Sequence, residues 1–423
     1  MAANTDILIA GGGPAGCSAA LALARLGHRV VLFTRPRRPS VEGLSERVLH
    51  ALDTGGCRRA RAAIGPPVRR EASWNDATTA ANQEWVVARE RLDAALLEDA
   101  AAAGVKIVAA RILAMAPEGS GWRAETGDGR RWSGRFLVEA RGRAAPGRRL
   151  RGPPSTALVR HFEQVPARPR TAVAGFAHGW AWYASTGDGT GSLQIVLPSA
   201  ERLPKRPALP ALFDAALAEI VPARDWLGQG RGVGEVAARH AEASRAARPV
   251  EDRLIRVGDA ALAPDPLSGH GVFEALASAR GAAAVVNTLL RRPADGALAR
   301  AFFEERVRLA FERFARIGRD FYRLEQRWPE TPFWHARRRW PDDLPAHAPP
   351  SALPAQIATR PVVEDGFVAA REVIVTADQP RGVWQVGGVA LVPLLRAVQA
   401  GAAAPRQAET ALAWLRYRGL LRS

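Results

Sequence analysis

The first strong hydrophobic signal is the run Ile7-Leu-Ile-Ala10, which leads without a polar break into Gly11-Gly-Gly13-Pro14-Ala15-Gly16. An apolar run of that kind predicts a strand buried on both faces. Ala19, Ala20, Leu23 and Leu26 then recur at helical spacing from Cys17, and Gly27 marks the stop. A second apolar run, Val30-Val-Leu-Phe33, follows at once, so the order is strand, glycine turn, helix, strand.

Further along, a polar, arginine-rich stretch over 40–65 holds Leu44-Ser-Glu-Arg47 and a helix near Val48–Leu52. Trp85-Val-Val-Ala-Arg89 passes from strand into a helix ending at Gly104, and Val105–Ala109, Trp122–Glu125 and Arg135–Glu139 are the next strands. From about Ser155 the period becomes alternating, and Ala157–Phe162, Ala172–Phe176, Trp180–Tyr183 and Ser192–Leu197 predict four strands of a separate inserted sheet. A helix carrying Leu209, Leu212, Phe213, Leu217 and Ile220 on one face follows.

Leu254-Ile-Arg-Val257 is again a strand that meets a turn and then a helix of small residues, Val272–Leu290. Phe303, Val307, Ala310, Phe314, Ile317, Phe321 and Leu324 alternate steps of four and three, the stripe of a packing helix. Proline and alanine then predict a linker over 346–361. The last segment predicts a helical stretch at Val363–Arg371, strands at Val373–Thr376 and Val383–Val386, and helices at Val389–Ala400 and Arg406–Arg418, a winged-helix-like unit.

These elements divide the chain into a discontinuous nucleotide-binding domain over 1–153 and 246–300, an antiparallel sheet domain over 154–245, a long packing helix over 301–345, the linker, and a small C-terminal domain over 362–423. The class is α/β.

Composition narrows the picture only a little. Hydrophobic residues at 47% and charged ones at 24% are ordinary for a globular chain, which sets disorder aside. Cys17 and Cys57 offer neither a disulfide framework nor metal spacing, and the scattered histidines include no metal-ligand pair, so no metal is expected. The apolar run at the start is short and lacks a basic flank, and no stretch reaches a membrane span; a cytoplasmic protein is expected. The net charge of +17 comes almost wholly from arginine, because Lys106 and Lys205 are the only lysines. Scattered arginine suits a solvated surface, and it also suits an acidic peptide or nucleic-acid partner drawn by the overall field.

The candidate chemistry starts at the glycine turn. Gly11 permits the tight turn, Gly13 lets a pyrophosphate approach the backbone, Gly16 lets the helix pack close to the strand, and the helix start favours an anion. A carboxylate is usual at the end of the second strand to bind a ribose hydroxyl, but here Thr34 and Arg35 stand in its place.

The GGGPAG turn, the stretch from Arg89 to Leu97, the turn Glu139-Ala-Arg-Gly142-Arg143, and Gly258-Asp259 followed by Asp265-Pro266-Leu-Ser-Gly269-His270-Gly271 fall in order along the chain. Over roughly residues 5–324 they resemble the FAD-dependent monooxygenases of the para-hydroxybenzoate hydroxylase and tryptophan halogenase superfamily. The resemblance implies a Rossmann-like FAD domain, with Gly11, Gly13, Pro14, Ala15 and Gly16 at the pyrophosphate and Arg47 and Arg89 along the pyrophosphate and ribityl chain. It implies a ribityl hydroxyl on Asp259, for which a simple helix cap is the other reading, and the 266–271 turn at the N1/O2 edge of the flavin. His270 either tunes that edge or contributes only its backbone.

The resemblance also sorts the chemistry. Related halogenases carry a Trp-x-Trp-x-Ile-Pro segment and a lysine between flavin and substrate; Trp180-Ala-Trp182-Tyr183-Ala-Ser keeps the tryptophans only, and neither lysine falls at the expected place. Hydroxylation of an aromatic ring through a flavin C4a-hydroperoxide is what remains, with molecular oxygen as co-substrate and no catalytic side chain identified. Trp180, Trp182 and Tyr183 would line the pocket or simply fill the sheet core. The turn, the tryptophan strand and the extra C-terminal domain are similar to the subgroup that hydroxylates tryptophan residues of partner proteins in tryptophylquinone biogenesis, including that of quinohemoprotein amine dehydrogenase. A protein or peptide substrate is thus implied. With no second strand-anchored glycine turn, electrons would come from transiently bound NADH or NADPH or from a separate flavin reductase. A small-molecule aromatic hydroxylase, an isoprenoid reductase and a redox-sensing nucleic-acid binder are the competing readings, the last disfavoured because the C-terminal arginines form no single recognition face.

Overall fold

The computed structural model describes residues 3–37, 39–199, 205–348 and 355–421. The chain divides into two compact units, one of residues 1–283 with 306–344 and one of residues 284–305 with 345–423. No helix among the described residues is long and apolar enough to cross a membrane.

In the larger unit the strand Ala3–Ala10 lies at the centre of the first sheet, parallel to Val30–Thr34 on one side and to Arg131–Glu139 on the other. Leu254–Arg256 joins Arg131–Glu139 in parallel, and Lys106–Ala109 joins Val30–Thr34 in the same way. Ile7, Leu8, Ile9 and Ala10 have no exposed surface, as the both-faces-buried reading of their run requires. The helix Pro14–Arg25 packs beside this sheet, with Ala19, Ala20 and Leu23 fully buried.

The second sheet has eight strands. Their order is Arg231–His240, Ser155–Glu163, Thr190–Pro198, Gly179–Thr186, Pro169–Phe176, Pro67–Trp74, Ala77–Ala88 and Val41–Leu44. It therefore extends beyond 154–245: three strands come from 41–88, of which Pro67–Trp74 joins Pro169–Phe176 in parallel, with Arg70 opposite Thr171, and the other two follow antiparallel. Only the end of Ala77–Ala88 at Trp85 is legible as strand in the pattern; Val68-Arg-Arg-Glu-Ala-Ser-Trp74 is hidden because it is nowhere fully buried and carries no apolar run. On one face Leu158, Phe162, Tyr183, Leu193, Phe213 and Trp226 form a core; on the other, Trp180, Tyr322, Phe333 and Trp334 form a second.

The helix Gly271–Arg291 follows the Asp265 turn, and the helix Gly296–Leu324 carries the expected stripe, buried at Phe303, Val307 and Phe314 but surfacing at Phe321 and Leu324. Leu212, expected inside, is also exposed.

The smaller unit departs most from expectation. Val363–Arg371 is not helical: Gln356–Glu364 and Phe367–Thr376 form a hairpin through Asp365 and Gly366, whose φ angles of 48° and 77° are those of a type I′ turn. Asp-Gly between alternating residues is the signal that should have decided for strands. Residues 349–354 of the expected linker lie outside the described residues, and its last residues belong to the first hairpin strand. Gln379–Val383 completes a three-stranded sheet. The helices Leu391–Gln399 and Glu409–Tyr417 bury Leu391, Val392, Leu395 and Leu415 together with Ile374.

Candidate flavin site

Four parallel strands end together at the glycine turn. Gly11 donates its N–H to Phe33 O, Ala140 donates to Ala10 O, and Val257 donates to Glu139 O. Gly11 has φ of 119°, and a Cβ there would lie 2.4 Å from Ala140 O; one on Gly16 would lie 1.8 Å from Gly11 O. Only glycine fits at either place. A Cβ on Gly12 would strike Thr34 Oγ1 at 2.4 Å, so Thr34 closes the turn from the side.

Gly13 is different. It caps the helix Pro14–Arg25, and the nearest atoms to a Cβ there are guanidinium nitrogens, Arg37 Nη1 at 3.4 Å and Arg89 Nη2 at 3.6 Å. Arg89 is buried, with Nη1 on Glu42 at 2.6 Å and Nε on Asp93 at 2.8 Å, which leaves Nη2 aimed at the helix start. Burial alone would lower its pKa, but Glu42 and Asp93 outweigh that and raise it, so the charge is held. Arg37 stands 3.9 Å from Asp93 on the open side. A fixed cation, Arg89, a second and half-exposed one, Arg37, and a helix N-terminus around a side-chain-free position fit a diphosphate.

Gly258 sits against Ala15, and its N–H donates to Ser278 Oγ at 2.9 Å. Arg149 holds the backbone here, donating to the carbonyls of Asp259 and Ala260 at 2.8 Å each, and burial followed by the like charge of Arg143 brings its pKa down to about 10. The Asp259 carboxylate is 38% exposed with Arg143 Nε at 3.6 Å, a loose pairing that leaves acceptor capacity for a hydroxyl. On the neighbouring strand end, buried Glu139 binds Arg141 through its backbone N–H and Nε, both at 2.9 Å.

Asp265 opens the next turn. Its carboxylate accepts Leu267 N–H at 2.9 Å, its carbonyl accepts the Ser268 hydroxyl at 2.7 Å, and Gly269 follows in the left-handed region at φ 67°. A Cβ on Gly269 or Gly271 would meet nothing within 4 Å, so this backbone faces open space. The His270 ring lies against Phe314 at 4.8 Å.

The tryptophan strand splits its candidates between faces. Trp180 and Trp182 share the Asp265 side, whereas Tyr183 points into the opposite core and stacks on Trp226 at 6.1 Å. Trp180 is 2% exposed, and its Nε1–H is committed to the Tyr322 hydroxyl. Half-buried Trp182 lies beside Gly43, where a Cβ would come 3.3 Å from its ring. Arg35 is exposed, and so is Arg47, whose charge, after burial, helps lower the pKa of Arg313. Sequence reasoning passed over Arg37, Glu42, Arg149 and Tyr322. A basic residue just past the second strand was the one visible signal among them.

A family model described as an FAD binding domain matches residues 4–313. The structure of QhpG, a peptidyl tryptophan dihydroxylase essential for tryptophylquinone cofactor biogenesis, is 40% identical and covers 99% of this chain and all of its own, with a TM-score of 0.86. The chain belongs to the FAD-binding monooxygenase and halogenase family. It is a flavin-dependent oxidoreductase. A tryptophan 2-halogenase of Chondromyces crocatus is 27% identical over 81% of this chain and 72% of its own length. The flavin-dependent halogenase CmlS shares the fold, at 20% identity and a TM-score of 0.73 over 99% of this chain and 96% of its own.

Proposed function

We propose that this protein is a monooxygenase that hydroxylates the indole of a tryptophan residue in a partner protein or peptide, as a step of tryptophylquinone biogenesis. The observation that carries the reading is the likeness to the peptidyl tryptophan dihydroxylase, which runs through both units at 40% identity. The lysines support it against halogenation. Lys106 lies on the nucleotide-binding sheet with its amine 4.7 Å over the Trp132 ring, and Lys205 leads into the helix Leu209–Ala218, whose Leu209 and Phe213 pack in the core on the sheet face opposite Trp182.

In this reading Arg37, Arg89 and the start of the helix Pro14–Arg25 hold the FAD diphosphate, Asp259 accepts a ribityl hydroxyl, and the 266–271 turn presents backbone N–H groups to the isoalloxazine edge. Bound FAD supplies the electrons that activate molecular oxygen, drawn from NADH or NADPH or from a separate reductase. The protein's share is orientation and exclusion of water, for which the apolar wall around Trp182, Trp74 and Trp328 is suited.

The test is to incubate FAD-loaded protein with a reductant, oxygen and the cross-linked partner peptide, then map added oxygen by mass spectrometry. One or two oxygen atoms on a tryptophan of the peptide are expected. Oxygen added only to free small aromatics, or a halogen added when halide is present, contradicts the proposal.

A further inference from the structure

Tyr322 is 2% exposed and joins two hydrogen bonds in series. An indole can only donate, so the Trp180 Nε1–H, 3.1 Å away, must be accepted by the Tyr322 oxygen. The Tyr322 proton is then left for Asp265, both of whose carboxylate oxygens lie 3.2 Å from the hydroxyl. Phe333 and Trp334 hold the Tyr322 ring edge-on at 5.9 and 5.8 Å, so its orientation is fixed by packing as well. The series ends on backbone, since the same carboxylate caps the Pro266–Ser268 turn through Leu267 N–H. Trp180 meanwhile belongs to the strand that carries Trp182.

Burial pushes the Asp265 pKa up and outweighs the Leu267 N–H, the charge of Arg337, the Tyr322 hydroxyl and the charge of Arg143, which pull it down, so the pKa is raised on balance. Arg143 is occupied on the carbonyls of Glu242 and Pro264, while Arg337 binds the carbonyls of Phe333 and Pro154 and the Ser155 hydroxyl and also interacts with the Tyr322 hydroxyl. The Tyr322 hydroxyl is thus a direct support of the ionised carboxylate that a single-atom change removes.

We propose that Tyr322 is a positioning residue which, through Asp265, sets both the placement of the 266–271 turn and the negative charge behind it, and which Trp180 ties to the substrate-side strand. This rests on the reading that the turn faces the flavin. Above the raised pKa of Asp265 its carboxylate is ionised, and a negative charge behind the turn opposes the electrons taken up by the flavin. Losing the Tyr322 donor favours the neutral carboxyl and makes reduction easier.

The experiment measures the two-electron reduction potential and visible spectrum of bound FAD in Tyr322→Phe, Trp180→Phe and Gly269→Ala. Tyr322→Phe keeps the ring and loses both hydrogen bonds; it is expected to favour reduction about tenfold, a rise of about 30 mV. Trp180→Phe is expected to move the potential the same way by less, and it carries the test if Tyr322→Phe does not fold. Gly269→Ala strains the turn directly and should shift the spectrum. If Gly269→Ala perturbs the flavin while the Tyr322 and Trp180 variants leave potential and spectrum unchanged, or lower the potential, the role of Tyr322 is refuted and the flavin-facing turn survives. If all three are silent, the turn does not face the flavin and the proposal falls with it.

Discussion

Gly258 packs on Ala15 so closely that a Cβ added to it would stand 2.6 Å from the Ala15 Cβ. Gly258 also has φ of 57°, so side chains are disfavoured there twice over. This contact brings Asp259 beside the glycine turn and makes one site from two distant segments. Gly258→Ala is expected to cost about 2–5 kcal/mol from overpacking and backbone strain. Thermal melting checks it: the variant should melt several degrees lower and hold FAD more weakly, and an unchanged melt with unchanged FAD affinity would mean that the contact is not made.

The two halves of this site were unequally legible in the sequence. Ile7–Ala10 and the glycines announce themselves because a strand buried on both faces needs an unbroken apolar run and a tight turn needs glycine. Asp259 was reached through the resemblance of its motif, since spacing alone places no residue next to Ala15. Tyr183 was grouped with Trp180 and Trp182 although the period of a strand puts it on the other face. Tyr322 was hidden inside a helix whose neighbouring Phe321 looked like the apolar position; in fact Phe321 is 41% exposed and Tyr322 is buried. Long-range hydrogen bonding such as Trp180 to Tyr322 leaves no local pattern to read.

The two arginines at Gly13 separate binding from stability. Arg89→Ala strands Glu42 and Asp93 and should lose about 3–5 kcal/mol, as expected when one partner of a buried ion pair is removed. Arg37 is half-exposed and supports no core. Arg37→Ala should therefore weaken FAD binding about tenfold, ~1.4 kcal/mol, with no change in the melting temperature of the FAD-free protein. Calorimetric FAD titration beside a melt distinguishes the two; equal behaviour of both variants would contradict the assignment.

Asp265 gives a pH dependence with a definite sign. Its folded pKa is raised above the ordinary carboxylate value, chiefly by burial, so the folded protein binds a proton more tightly than the unfolded chain. The associated stability is present below the unfolded pKa, near 3.8, and is lost as pH rises through the higher folded value. Asp265→Asn does not titrate. Its melting temperature relative to the parent protein should therefore improve from pH 4 to pH 8; a constant difference would show that the carboxyl does not titrate with folding.

Both thiols should be silent in the native protein. Burial pushes Cys17 far up and Cys57 up to about 11, and both side chains are almost wholly enclosed. Thiolate is the reactive form, so a maleimide at pH 7 should label neither until the chain unfolds. Rapid native labelling of Cys17, which lies in the first helix and directs its sulfur to Gly12 O, would show that the glycine turn opens.

The measurement closest to the central claim is a titration of the FAD-free protein with FAD, followed by flavin fluorescence, in the parent chain and in Gly13→Val and Asp259→Ala. One FAD per chain is expected, with weaker binding in both variants, because Gly13 is assigned to the diphosphate and Asp259 to the adjoining ribityl chain of the same ligand. FAD binding that either substitution leaves untouched, or no FAD binding by the parent protein, would contradict the claim that these two segments hold a single flavin.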